Sequence, residues 1–369
     1  MKIAFLGNTD FSIYNYRFEL VQRLLNEKHE VLIVTPKGDL VKKMVDAGCK
    51  YIDIKVDQHG LNPFHDLKLK NNIYRILKKE RPDYVCGYTI KPNIYGAWAC
   101  KKLNIKFIAN ITGLGTAAEN PGLVQKIIVK LYKIAFRNVK RVFCQNEENR
   151  VFFINYNIVN EDKLSLLPGS GVNLERFKLI PYPNSETTRF VFVSRIRKDK
   201  GIDEYITAAR HINEKYKNTE FHVCGVCDDE YKWISNEKSV IYHGMVSHIE
   251  DVLKDMNCLI FPSYYAEGMA NVLLEASAIG RPIMTTNRPG CKETIEDGYN
   301  GFIINEKDSN NLIEKIEYFL SLSTEEQCQL GLNGRAKVEN EFNRQIIIDK
   351  YLRELELLWL SLEKSLKSS

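Results

Sequence analysis

No run of about 18 apolar residues occurs in this sequence, so we expect no membrane-spanning helix. The opening segment Met1–Gly7 is too short an apolar run for a signal peptide and predicts a first β-strand. Low-complexity tracts are also missing, and 44% hydrophobic with 27% charged residues is a composition typical of globular proteins. A chain of 369 residues is long enough for two or more hydrophobic cores.

Patterns that would indicate disulfides, metals or a dinucleotide are missing as well. Nine cysteines, an odd number, are scattered among apolar neighbours, which indicates reduced thiols in a cytosolic protein. Cys224 and Cys227 have redox spacing but no thioredoxin-like context, so we interpret them as small residues at a strand end. The seven histidines show no metal-ligand spacing, and Asp228-Asp229 is not an Asp-x-Asp signature. The loop after the first strand keeps only Gly7, so the Gly-x-Gly-x-x-Gly fingerprint is absent.

Positive charge is concentrated in the first half of the chain. Residues 1–180 contain 29 Lys and Arg against 17 Asp and Glu, whereas residues 181–369 contain 23 against 30. The overall formal charge is +5. This asymmetry predicts that the first half faces an anionic partner.

Short apolar runs alternate with helical patterns in both halves, which predicts parallel β-sheets covered by helices on both faces. The predicted strands are 2–6, 30–35, 50–54, 84–87, 106–111, 141–144 and 163–167, then 189–194, 220–223, 240–243, 258–261, 282–285 and 301–304. The predicted helices of the first half include 14–27, 66–79 and 122–138.

Two prolines in the polar stretch 179–188 are typical of a linker. We therefore predict an α/β protein with two doubly wound, Rossmann-like domains that face a central cleft, over residues 1–180 and 181–343. A helical pattern over 344–369 predicts a last helix that can cross back to the first domain.

Two glutamates eight positions apart give the strongest functional signal. Glu267 follows the predicted strand 258–261, and Glu275 lies in the next predicted helix. The start of a helix offers unpaired N–H groups and partial positive charge, which suit a diphosphate, while Glu275 is placed to reach a ribose or sugar hydroxyl. The small residues that would let an anion approach are Gly268, Ala270 and Asn271. The alternative is a glycine-capped helix with two solvated acids.

A basic loop follows the first strand of the second domain. Arg195 and Lys200 lie five positions apart in it, just before a predicted helix. Two fixed cations there could clamp a diphosphate and stabilise charge on a leaving phosphate.

Four motifs within residues 190–305 resemble, in order and spacing, the retaining glycosyltransferases of family four, which have the GT-B fold. The motifs are Ser-Arg195-x4-Lys200-Gly, Glu267-Gly-x6-Glu275, Gly280-Arg-Pro-Ile and Gly290-x2-Glu293-x4-Gly298-x2-Gly301. The resemblance implies that Arg195 and Lys200 bind the donor diphosphate and act in catalysis with Glu267, which contacts the donor sugar. It implies that Glu275 contacts the ribose. Further donor contacts are implied for Gly268, Met269, Ala270 and Asn271.

The first half resembles the same family less closely. Residues 7–13 stand where the family has a glycine-rich loop, which implies donor contacts from Gly7 and Ser12. Residues 88–96, 110–115 and 61–64 are similar to bacterial enzymes that extend polyprenyl-diphosphate-linked sugars. Lys91 and Thr112 are therefore acceptor-side candidates. Many members have a histidine where this chain has Thr112, which cannot handle a proton in the same way. Either a different residue serves the acceptor or a donor phosphate oxygen takes the proton.

The predicted helix over residues 122–138 combines a basic row with a wide apolar face. The basic residues are Lys126, Lys130, Lys133, Arg137, Lys140 and Arg141, and the apolar ones are Leu123, Val124, Ile127, Ile128, Leu131, Ile134, Ala135 and Phe136. This combination suits an anionic membrane surface. A helix that packs on the core and solvates its basic face is the alternative.

Together these features predict a cytoplasmic glycosyltransferase that is peripheral to the inner face of the membrane. It would transfer a hexose or N-acetylhexosamine from a UDP-sugar to a polyprenyl-diphosphate-linked saccharide in surface glycan or polysaccharide assembly. We expect no metal, no other cofactor and no nucleic-acid partner. The alternatives are a UDP-sugar epimerase and an inactive nucleotide-sugar-binding subunit.

Overall fold

The protein is built from two compact units, each around its own parallel sheet. A computed structural model describes residues 1–57, 63–115 and 121–367, so Leu61 and Asn62 lie outside the described residues. The first unit is Met1–Ser170 together with the C-terminal segment from Ile347, and the second unit is Gly171–Ile346. The predicted α/β class and its two doubly wound sheets are confirmed.

The first sheet reverses its strand order beside the first strand. Its strands are β1 Lys2–Leu6, β2 Glu30–Thr35, β3 Lys50–Asp53, β4 Tyr84–Tyr88, β5 Lys106–Ile111, β6 Arg141–Cys144 and β7 Leu164–Leu166. Its helices are α1 Asp10–Asn26, α2 Val41–Asp46, α3 Pro63–Glu80, α4 Ile90–Leu103, α5 Leu123–Ala135 and α6 Glu147–Asn155. The sheet order is β3-β2-β1-β4-β5-β6-β7 and the described pairings are parallel.

The second sheet repeats this arrangement. Its strands are β8 Thr188–Val193, β9 Thr219–Cys224, β10 Ile241–Tyr242, β11 Cys258–Phe261, β12 Ile283–Thr286 and β13 Gly301–Ile304. Its helices are α7 Ile202–Lys215, α8 Ile249–Leu253, α9 Asn271–Ala278, α10 Ser309–Ser321 and α11 Thr324–Lys337, and the last helix of the chain is α12 Arg344–Lys367. The order β10-β9-β8-β11-β12-β13 places the reversal between β8 and β11.

Helix α12 completes the core of the first unit. Its apolar side chains join those of β1, β2, β4 and α1 in one buried cluster. The α12 members of that cluster are Ile347, Ile348, Tyr351, Leu352 and Leu355. The other face of the sheet is covered by α3, α4, α5 and α6.

The predicted domain boundary at residue 180 lies inside the second unit. Val172 donates its N–H to the carbonyl of Phe342 at 2.8 Å, and Val172 and Phe177 belong to the core of this unit. The guanidinium of Arg281 donates to the carbonyls of two residues of the predicted linker, at 3.0 and 3.1 Å. The proline-rich stretch is therefore anchored on the second unit, and the chain passes between units near Ser170 and Ile346.

The apolar runs predicted the strands to within a residue, but the helix over 122–138 is shorter than predicted. Helix α5 ends at Ala135 and one 3-10 turn follows it, so Lys140 and Arg141 lie outside the helix. Arg141 starts β6 and pairs with Glu354 of α12 at 2.9 Å, so it does not join the basic row. Among the described residues, no helix combines the length and apolarity needed to cross a membrane.

Candidate active site

Two loops meet where the strand order of the second sheet reverses. One runs from β8 through a 3-10 turn into α7, and the other runs from β11 into α9. The N–H of Tyr264 donates to the carbonyl of Asp199 at 3.0 Å, which ties the loops together. Gly201 starts α7 with φ +79°, and a Cβ on it would lie 2.2 Å from the carbonyl oxygen of Pro262. Ligands of doubly wound sheets bind at such a reversal, beyond the carboxyl ends of the strands.

The predicted residues Lys200 and Glu267 form an ion pair between these loops, and both side chains are largely buried. The ammonium of Lys200 also lies 4.0 Å from the ring centroid of Tyr265. The guanidinium carbon of Arg197 lies 5.7 Å from the same ring, and Arg197 pairs with Asp199 at 2.6 Å. An electron-rich ring face attracts cations, so Tyr265 holds the Lys200 ammonium beside the Glu267 carboxylate.

Tyr265 is a residue of the candidate site that the sequence motifs missed. Burial and the nearby carboxylate of Glu267 raise the pKa of its phenol, while the charges of Arg197 and Arg195 oppose that rise. Arg195 therefore lies close enough to act on the same ring, although its own side chain is exposed. One sequence signal could have indicated this role. Tyr265 is an aromatic residue two positions before Glu267, and the basic loop supplies cations that can lie over its ring.

The start of α9 offers fewer free donors than the motif implies. The N–H of Ala270 donates to the carbonyl of Gly290 at 2.8 Å, so this predicted phosphate contact is already used within the protein. Met269 is buried in the core, which leaves its backbone as the part that can face a ligand. Helix α9 has no side-chain cap, and the buried Oδ1 of Asn271 has no hydrogen-bond partner among the described residues. The unpaired Oδ1 of Asn271 can accept a hydrogen bond from a sugar hydroxyl, so Asn271 remains a candidate contact.

Gly290 fixes the position of Glu267. It has φ +86°, and a Cβ on it would lie 2.6 Å from the Cβ of Glu267 and 2.9 Å from the Glu267 backbone. The N–H of Gly290 donates to a carboxylate oxygen of Glu293 at 2.7 Å. The Gly-x2-Glu motif therefore supports the glutamate loop through backbone contact.

Glu275 lies in a different charge environment from Glu267. Burial is the main cause that raises its pKa to about 7, while the charges of Arg176 and Arg344 oppose the rise and that of Glu250 adds to it. Arg176 is itself held by Glu250 through two hydrogen bonds of 3.0 and 2.8 Å. Glu275 therefore titrates near neutral pH, and a ligand that donates hydrogen bonds to it would favour its charged form.

The predicted donor contacts of the first unit lie at the end of β1. Gly7 follows the strand directly and donates its N–H to the carbonyl of Val34 at 3.2 Å. Ser12 lies in the first turn of α1, where its N–H donates to Oγ1 of Thr9 and its hydroxyl donates to the Thr9 carbonyl at 2.9 Å. Thr9 thus caps the helix, and the Ser12 hydroxyl is used in a local hydrogen bond to the Thr9 carbonyl.

The acceptor-side candidates follow the next two strands of that sheet. Lys91 lies in the first turn of α4, and its ammonium is 2.8 Å from Oδ1 of Asp66 in α3. Its charge is therefore already balanced. Thr112 is partly buried and follows β5 directly. Over the described residues, no cluster of three or more His, Cys, Asp or Glu could hold a metal ion.

Comparison with known proteins identifies the family and the fold. The model of the glycosyl transferases group 1 matches residues 176–337, and the glycosyl transferase 4-like model matches residues 2–146. The Anabaena protein HepE, solved with UDP and glucose, superposes with a TM-score of 0.80 at 16% identity, over 96% of this chain and 99% of its own. Two such units define a protein of the GT-B fold.

Two curated relatives have similar length. The N,N'-diacetylbacillosaminyl-diphospho-undecaprenol alpha-1,3-N-acetylgalactosaminyltransferase of Campylobacter jejuni is 29% identical, over 96% of this chain and 98% of its own. The Escherichia coli UDP-Gal:alpha-D-GlcNAc-diphosphoundecaprenol alpha-1,3-galactosyltransferase is 22% identical, over 90% and 89%. The chain belongs to the glycosyltransferases, with a 4-like first half and a group 1 second half.

We predict that Gly290→Ala lowers turnover by displacing Glu267, because the added Cβ meets that residue at 2.6 Å. Gly298→Ala is the matched control, since Gly298 has φ +75° and nothing within 4 Å of an added Cβ. Each substitution strains a left-handed backbone by about 1–2 kcal/mol. Steady-state kinetics and thermal melting of both variants test this. Equal loss of turnover in the two variants would show that backbone strain alone is responsible.

We predict that Glu275 makes both stability and UDP affinity depend on pH. Its folded pKa near 7 exceeds the unfolded value of 4.5, so the free energy of unfolding falls as pH rises between those values. Glu275→Gln should remove this fall, which amounts to at most about 3 kcal/mol. If ribose hydroxyls donate to this carboxylate, as the family resemblance implies, UDP should bind wild type more tightly at pH 8 than at pH 6.

Melting curves and calorimetry with UDP at pH 5, 6, 7 and 8 measure both effects. Protonation of UDP itself changes its affinity for both proteins in the same way. The difference in UDP affinity between wild type and Glu275→Gln therefore reports on Glu275 alone. If the two proteins show the same pH dependence of UDP affinity, Glu275 does not contact the ribose.

Proposed function

We propose that this glycosyltransferase moves a hexose or N-acetylhexosamine from a UDP-sugar to a polyprenyl-diphosphate-linked saccharide, with retention of configuration. The observation that carries the proposal is the Lys200–Glu267 pair at the strand-order reversal of the second unit, beside the start of α9. The names of both curated relatives support the acceptor class, since each includes a diphosphate-linked undecaprenol. Surface glycan or polysaccharide assembly is the corresponding context.

The donor diphosphate would take the Lys200 ammonium away from Glu267. Arg195 and the first amides of α9 would bind the same phosphates, and the released Glu267 carboxylate would accept hydrogen bonds from the donor sugar. The bond from the sugar anomeric carbon to the phosphate oxygen breaks as the acceptor oxygen bonds to the same carbon. UDP leaves, and a donor phosphate oxygen receives the acceptor proton, because Thr112 cannot act as a base.

Incubation with a panel of UDP-sugars, with and without a polyprenyl-diphosphate-linked acceptor, tests this function. A glycosylated lipid product that forms only with the acceptor supports the transferase. Isomerised donor without an acceptor would indicate an epimerase. UDP binding without turnover on any acceptor would indicate an inactive binding subunit.

We predict that Lys200→Ala and Arg195→Ala each lower kcat about 10²–10³-fold, as loss of a preorganised charge-stabilising group does. Lys198→Ala, an exposed lysine in the same turn, is the matched control and should retain turnover. We also propose that fixed cations replace a metal, so excess chelator should leave wild-type turnover unchanged. Normal turnover in both alanine variants, with unchanged melting, would contradict the donor-site assignment.

We further propose that the protein works at the inner face of an anionic membrane and contacts it through α5. This helix has three faces. Its buried face packs against the core through Val129 and Tyr132. Its basic row consists of Lys126, Lys130, Lys133 and the following Arg137. Its third face is apolar yet exposed, with exposed fractions from 37% to 75%. The residues of that apolar ridge are Leu123, Val124, Ile127, Leu131 and Ile134.

The two outward faces match the two layers of a membrane surface. Anionic headgroups would attract the basic row at about 1 kcal/mol per charge, and acyl chains would accept the apolar ridge. A helix that only packs on the core would not leave five aliphatic side chains of one ridge in water.

We predict that vesicle binding has one component that depends on salt and one that does not. Replacement of Lys126, Lys130 and Lys133 by Glu should abolish binding to anionic vesicles at low salt. Ile127→Ser with Leu131→Ser should leave only a weak interaction that salt removes, because the Debye length is about 8 Å at physiological ionic strength.

Co-sedimentation with vesicles of anionic or neutral lipid, at low and high salt, measures both components. Leu332→Ser is the control, since Leu332 is an exposed leucine of the second unit with 40% exposure. Equal binding by all variants, or no binding by wild type, would contradict the role of α5.

A further inference from the structure

The first unit contains a buried arginine at the point where its own strand order reverses. Arg17 belongs to α1, which follows β1, and its side chain lies against β4, the strand on the other side of the reversal. Its guanidinium carbon is 5.0 Å from the ring centroid of Tyr88, the last residue of β4. Arg17 is only 6% exposed. This places a fixed positive charge just below the carboxyl edge of the first sheet.

The donors of Arg17 are only partly used. One N–H of Nη1 donates to the carbonyl of Tyr16 at 3.0 Å, and the guanidinium also interacts as a donor with the Tyr88 phenol. The Nε atom is buried without a hydrogen-bond partner, and no carboxylate among the described residues forms an ion pair with this side chain. Buried charges are ordinarily paired, because an isolated charge away from water is costly.

Arg281 shows how this chain satisfies an arginine that has a purely structural role. Arg281 is fully buried, and its guanidinium donates to six backbone carbonyls of the second unit. The acceptors are Ile180, Pro181, Leu253, Lys254, Ile279 and Gly280. Arg17 has one such carbonyl. The contrast leaves donors of Arg17 that a ligand could use.

The surroundings of Arg17 are polar enough to receive one. The hydroxyls of Tyr88 and Tyr351 lie 3.5 Å apart, and Nδ2 of Asn110 donates to the Tyr351 hydroxyl at 3.1 Å. The buried Oδ1 of Asn110 has no partner among the described residues. Arg17 thus lies at the edge of a buried polar group rather than within a purely apolar core.

We infer that Arg17 binds a diphosphate oxyanion at the strand-order reversal of the first unit, and that this diphosphate belongs to the lipid-linked acceptor. The ligand class follows from the guanidinium fork, which binds phosphate oxygens through two parallel hydrogen bonds. The place follows from the rule that doubly wound sheets bind ligands at the reversal. The choice of the acceptor as source rests on the proposed function, in which the second unit holds the donor.

The test uses the full chain saturated with UDP, so that the donor site is filled, and farnesyl diphosphate as the probe. Arg17→Gln should weaken farnesyl diphosphate binding about tenfold or more by calorimetry, because it removes the charge-assisted hydrogen bonds. The affinity for UDP should stay within about twofold, because the cations proposed to bind the donor diphosphate, Arg195 and Lys200, are left unchanged. Arg23→Gln is the matched control in the same helix, since Arg23 is exposed and pairs with Glu27.

A measurement on wild-type protein avoids any folding defect of the variant. The ¹⁵N-labelled Nε–H signal of Arg17 should shift and exchange more slowly on addition of inorganic pyrophosphate in the presence of UDP. The Nε–H signal of Arg281 should not move. Farnesol, which has no phosphate, should move neither signal.

The outcomes separate this inference from the proposed function. An Arg17 signal that responds to pyrophosphate, with no sugar transfer to any lipid, would support the anion site and reject the transferase assignment. Transfer that proceeds with an unchanged acceptor KM in Arg17→Gln, and an Arg17 signal that ignores pyrophosphate, would overturn the site. A UDP affinity that falls in Arg17→Gln would assign the oxyanion to the donor and overturn the acceptor assignment.

Discussion

The reversal of strand order in each parallel sheet is the constraint on which the rest of the structure depends. Parallel strands end at one edge, and the helices on either side of the reversal leave in opposite directions, so two loops are left facing each other. In the second unit these loops bring Lys200 to Glu267. In the first unit the same topology brings Arg17 of α1 to Tyr88 of β4. The order of the strands thus brings together residues that are distant in sequence.

The sequence was sufficient to predict the sheets because buried parallel strands are nearly continuous apolar runs bounded by turns. Residue types and spacing also made the basic loop and the two glutamates site candidates, and the structure places Lys200 against Glu267. The sequence did not predict Tyr265 or the use of the Ala270 amide by Gly290, because both depend on contacts between separate loops. The boundary at residue 180 was shifted because prolines indicate a linker without indicating where it packs.

Helix α5 shows most clearly what the periodicity of apolar residues cannot predict, namely which of them are buried. Its apolar positions predicted a wide face, but periodicity cannot divide such a face between core and solvent. The structure makes that division: Val129 and Tyr132 are buried, whereas Leu123 is 75% exposed. Only packing against α4 and the sheet decides which aliphatic residues remain outside. The exposed apolar face of α5, which periodicity alone does not reveal, is thus the main support for the proposed membrane contact.

The contribution of α12 to the first core reverses the order in which the two units can be completed. A ribosome delivers β1 to β7 first, but five apolar side chains of their core come from Ile347 to Leu355, after the whole second unit has been synthesised. Until then the nascent first sheet has one face without its final helix. The second unit, in contrast, is continuous in sequence and can close as soon as it emerges. The unit that is made first therefore matures last, and its exposed apolar face must be protected from aggregation during synthesis.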